Sequence, residues 1–99
     1  MNDASRKRVA EALGHLIRLL DDGVPLNDAE STMQTVEVLL DLACEDADAP
    51  QAVHGAASHL TGVSLCTGEP RTHHALMDAW AAAKCARNRL ETLGIEPIK

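Results

Sequence analysis

The chain has 99 residues, enough for one modest hydrophobic core that hides roughly 60–70% of the unfolded surface, and 45% apolar residues argue against wholesale disorder. Nine basic against fifteen acidic residues leave a formal charge of −6; such a surface repels phosphate backbones and anionic lipid, so direct binding to nucleic acid or membranes is not expected. Trp80 is the one aromatic residue in a background rich in Ala and Leu, which favours helix over strand and makes all-α the expected class.

A first helix is expected over residues 4–22, capped by Asn2 or Asp3 and stopped by Gly23. Val9, Leu13, Leu16, Ile17 and Leu20 recur at helical spacing, and Leu19 widens their stripe. The charges run against the helix dipole, with Arg6, Lys7 and Arg8 in the first turn and Asp21 and Asp22 in the last. Each misplaced charge costs roughly 0.3–1 kcal/mol at a surface. A solvated, frayed terminus tolerates that, as does an acidic neighbour.

The second helix is expected over residues 28–47, opened by Asn27 and Glu30 in the form of a capping box. Ala29, Met33, Val36, Leu40, Ala43 and Ala47 make one stripe, with Leu39 and Leu42 beside it and Glu30, Gln34, Glu37 and Asp41 on a narrow wet face. From Val36 to Cys44, only Glu37 and Asp41 interrupt the apolar run. A helix this apolar is buried on more than one side. Once Leu40 and Ala43 face the bundle, Val38, Leu39 and Leu42 remain in search of a second surface.

The third helix is expected over residues 49–65, with Asp48 as N-cap, Pro50 in the first turn and Val53, Ala56, Ala57, Leu60 and Val63 inward. It is small-sided, and Gly55 and Gly62 each cost about 1 kcal/mol in a helix relative to Ala. Close approach of another backbone would compensate, so both glycines join the interface candidates Val38, Leu39 and Leu42. The fourth helix, residues 70–93, carries Leu76, Trp80, Ala83, Leu90 and Leu93 on one stripe with Met77, Ala81 and Cys85 beside it. Lys84, Arg87 and Arg89 suit its C-terminal end. Gly94 has the character of a C′ residue, with Ile95 making the hydrophobic contact of a Schellman end. The expected architecture is a compact four-helix bundle, one domain over 1–99 without a separate linker or targeting segment.

No apolar run reaches the roughly 18 residues of a transmembrane helix, and the N-terminus lacks the apolar region of a signal peptide. Three cysteines at irregular spacing do not form a secreted disulfide framework, so a cytoplasmic protein is expected. Together with five histidines they raise the question of a metal, but the zinc spacings CxxC, HxxxH and HExxH are absent. The candidate ligands are His59, Cys66, His73 and His74, gathered at the turn between the third and fourth helices, a set suited to zinc or copper. The competing reading is solvent-facing histidines and small buried thiols, and neither metal nor cofactor is expected. Cys66 near two histidines is the one nucleophile–base candidate, too little to expect an enzyme. Glu45, Asp46 and Asp48 lack the loop spacing of a calcium site.

Three functions remain. The leading expectation is a small non-enzymatic, helical protein–protein interaction or regulatory protein acting as a homodimer. A second is an acidic inhibitor or antidote that occupies a basic site on another macromolecule, and a third is a metal or thiol redox sensor.

Overall fold

The computed structural model describes residues 1–23, 26–64 and 73–98. Among them lie four α-helices and no strand: α1 (Asp3–Ile17), α2 (Leu26–Cys44), α3 (Gln51–Ser64) and α4 (His73–Glu91). Each helix packs against the next in sequence, and α4 closes the ring against α1, the arrangement short connections impose on a bundle. The radius of gyration is 12.7 Å, against about 13 Å for a compact domain of this length.

Asn2 starts α1. Its backbone is extended (φ −76°, ψ 171°), and its side chain accepts the Ser5 N–H at 2.8 Å, one of the donors that no earlier turn can serve, while its carbonyl accepts the Arg6 N–H at 3.0 Å as the first bond of the helix. Val9, Ala12, Leu13 and Leu16 are buried along one side. After Ile17 the chain winds on as a π-helical segment, Arg18–Gly23. Across this wider winding Leu19 completes the buried stripe and Leu20 is only half-buried.

Residue Leu26 is already helical, so Asn27 lies inside the first turn of α2 and is not the cap expected of it. At the other end the helix stops at Cys44, where Glu45 and Asp46 donate to the carbonyls of Leu42 and Ala43 at 3.2 Å in tight three-residue closures. Ala47 therefore falls off the stripe and is exposed. Pro50 immediately precedes α3, and its carbonyl accepts the Val53 N–H at 3.0 Å; a proline suits that position because an N–H there has no partner within the helix anyway. Asp48 is thus not the N-cap. Its own N–H is taken by the Asp46 carboxylate at 2.9 Å.

The core draws on all four helices, with Val9, Leu13, Leu16, Val36, Leu40, Val53, Leu60 and Leu90 at 1% exposure or less. Helix α4 contributes Ala83 and Ala86 beside Leu90, spaced i, i+3 and i+7. That places Ala81 and Cys85 on the exposed side, contrary to the second stripe expected there. The side chains of Leu76 and Met77 lie outside the described residues. Past Glu91, successive N–H groups of Thr92, Leu93 and Gly94 donate to the carbonyls of Arg89, Leu90 and Glu91 at 3.3, 3.1 and 3.3 Å. Gly94 then turns left-handed at φ +70°, and Ile95 packs against the core, as its sequence position suggested.

Candidate interaction face on the second helix

Helix α2 buries Ala29, Met33, Val36, Leu40 and Ala43 on one side, and this inward stripe accounts for half of its apolar residues. The other side carries Ser31, Gln34, Thr35, Val38 and Leu42, which recur at three- and four-residue steps. Val38 is 57% exposed, the highest value for a large hydrophobic residue among those described. Leu39 and Leu42 are half-buried, and Leu39 also touches the core. Ser31, Gln34, Thr35, Val38 and Leu39 line a shallow depression of about 320 Å³. The Thr35 hydroxyl donates to the Ser31 carbonyl at 3.0 Å, so its polar group is occupied by the helix itself. The result is an uncharged, partly apolar patch.

The edge of this patch is acidic. Asp41 has its carboxyl raised above the ordinary carboxylate value by burial and then by the charge of Glu37 one turn away. Burial and the charge of Asp41 push the Cys44 thiol up as well. A thiol held protonated is a poor nucleophile and a poor ligand, which weighs against sensing at Cys44.

The remaining candidates are placed elsewhere. A Cβ on Gly55 would come within 3.1 Å of Arg89 Nη1 and 3.2 Å of its Cδ. What passes over the glycine is therefore an arginine side chain from α4, not the second backbone anticipated. One turn on, Arg89 Nε donates to His59 Nε2 at 3.0 Å. The guanidinium lies across the face that Gly55 and His59 share, and the imidazole nitrogen that accepts it has its lone pair engaged. Gly62 belongs to α3, and His73 and His74 to the first turn of α4, but their side-chain surroundings, like Cys66 altogether, lie outside the described residues. Among the described residues no three His, Cys, Asp or Glu side chains gather as a metal site.

Two tertiary contacts had no local signal. Asp46 holds the start of α1: its carboxylate accepts the Asn2 N–H at 2.8 Å and the Asp48 N–H at 2.9 Å. These bonds, first among the causes, hold its carboxyl below the ordinary carboxylate value, with smaller help from Ser5 and the N-terminal charge. Asp21, misplaced at the negative end of the first helical stretch, is matched by Arg87 of α4, whose Nη1 donates to Asp21 Oδ1 at 3.0 Å. Arg87 Nε lies 3.3 Å from Glu91 but without hydrogen-bond alignment. Both acidic groups are thus engaged within the chain.

The Asp46 contact has a pH signature. Because its folded-state pKa is depressed, its stabilisation is present above the unfolded value, near 3.8, and is lost as pH falls through the lower folded value. Urea midpoints of the parent chain and Asp46→Ala should differ by a constant amount well above the unfolded value and converge as the pH falls below it, through the lower folded value. A gap that widens on acidification would rule out this role.

No helix among the described residues is long and apolar enough to cross a membrane. No family model, curated protein or solved structure matches this chain.

Proposed function

We propose that the protein is a non-enzymatic helical interaction protein that works as a homodimer closed through the outer face of α2. The observation that carries this reading is Val38, 57% exposed in the middle of a helix whose opposite side supplies the core. Large apolar side chains scattered singly on a surface need no explanation; here Leu39 and Leu42 flank Val38 and a depression adjoins it. The patch is also uncharged in a chain of net charge −6. A second copy would meet an uncharged centre with Glu37 and Asp41 at its edge, and a two-fold contact requires a surface that is compatible with itself.

The contact is small. Stable interfaces bury about 1,200–2,000 Å² in total, and a patch of a few side chains on one helix lies at or below the lower end, so association belongs in the micromolar range or weaker. The competing acidic-inhibitor reading loses support because Asp21 and Asp46, members of the two acidic clusters behind it, already have partners within the chain.

Light scattering over a dilution series tests the proposal. The parent chain should move from twice 10.6 kDa at high concentration towards 10.6 kDa on dilution. Val38→Asp places a third carboxylate beside Glu37 and Asp41 and should remain at 10.6 kDa throughout, with unchanged helical circular dichroism. A parent chain that stays monomeric up to millimolar concentration would overturn the homodimer.

A further inference from the structure

The C-terminal residues run back onto α1. The Ile98 N–H donates to the Ala10 carbonyl at 3.0 Å, and the Ile98 backbone crosses directly over Gly14. A Cβ on Gly14 would lie 2.6 Å from the Ile98 carbonyl carbon and closer still to its oxygen. This glycine is required by the tail: real Cβ atoms do not approach backbone so closely, and the backbone has no flexible end with which to yield.

The contact is nevertheless thin. Ile98 is 48% exposed, whereas Ala10 beneath it is 5% exposed and Gly14 is buried. Glu96 is exposed, and Pro97 has no N–H to donate. Among the described residues, the Ile98–Ala10 bond is the one backbone hydrogen bond that ties the tail to another helix. The tail joins α4 through Gly94, which sits at φ +70° with nothing within 4 Å of where a side chain would stand. A left-handed glycine in open space meets little resistance to turning.

We infer that residues 95–98 are a strap, hinged at Gly94, which opens from and closes over the Ala10–Gly14 surface of α1 while the four helices stay assembled. Closed, it removes that small-sided surface from solvent. Open, it exposes Ala10 and Gly14 to solvent.

Amide hydrogen exchange on the full chain, followed by NMR, tests this. The Ile98 amide should exchange on the order of 100-fold faster than those of Leu13 and Leu40, since local opening needs less free energy than global unfolding. Gly14→Ala should abolish the remaining protection at Ile98 and leave the α2 and α3 amides at their parental rates. Ile95→Ala, which removes the strap's packing against the core, should speed exchange at Ile98 about tenfold, by more than any change at Leu13 or Leu40. If Ile98 exchanges at the core rate in the parent chain, the tail is an integral part of the bundle and the strap is refuted, whether or not Gly14→Ala folds. Full protection of Ile98 in Gly14→Ala would refute it equally.

Discussion

Leu40→Ala should lower the unfolding free energy by about 2–5 kcal/mol, the cost of removing buried methyl groups plus the cavity left behind. Leu40 is 0% exposed and belongs to the cluster that joins all four helices, so no single neighbour can relax into the space. Domains are stable by only about 5–15 kcal/mol in total, and a chain of 99 residues sits towards the lower end of that range. A loss of this size therefore places the variant close to unfolding at room temperature. Val38→Ala, two residues away and on the opposite side of the same helix, should change stability by no more than about 0.5 kcal/mol. Urea denaturation with an unchanged m-value is the measurement. Equal losses at the two positions would mean that α2 is buried all round and that it has no free face for a partner.

Ala83→Leu should cost about 1–3 kcal/mol, by overpacking. Ala83 and Ala86 on α4 are both 0% exposed, and α3, its principal neighbour, buries Ala56 and Ala57. Small residues on both sides let two helices pack closely, and a leucine there must push one of them away. The same change at exposed Ala81 should be nearly neutral, since Leu and Ala are both good helix formers. Thermal unfolding followed by circular dichroism separates the two variants. A neutral Ala83→Leu would show that the α3–α4 contact has room for a larger side chain, contrary to the burial seen.

The half-buried state of Leu39 bears on how the proposed interface is tested. An aspartate at Leu39 looks like the natural probe from sequence, because Leu39 lies beside the inward stripe. Yet it touches the core, so a charge there disturbs folding and association together. Val38 is the cleaner position: two residues from both Val36 and Leu40 it points away from the inward stripe, whereas Leu39, three from Val36, lies beside it.

The helix content was legible because it rests on local effects. Ala and Leu richness, a period near 3.6 and the left-handed glycine at 94 act within a few residues, so all four helices and most of the inward side chains of α1, α2 and α3 could be read off directly. The misreadings fell where two local signals competed. Asn27 and Asp48 both have capping chemistry, but α2 is already helical at Leu26 and α3 starts at Gln51, directly after Pro50, because a cap is used only where the packed helix begins.

What the sequence by itself determined is an acidic, all-α chain of four helices. What only the tertiary structure decided is how its polar and small residues are spent. Asp46 closes on Asn2 across 44 positions, Asp21 meets Arg87 across 66, Arg89 lies over His59 across 30, and Gly14 makes room for Ile98. Such pairings carry no local periodicity. They follow from the angles at which helices pack, set by the summed shapes of buried side chains, so His59, which looks like a ligand in the sequence, and Gly55, which looks like part of a seam, both meet Arg89 instead.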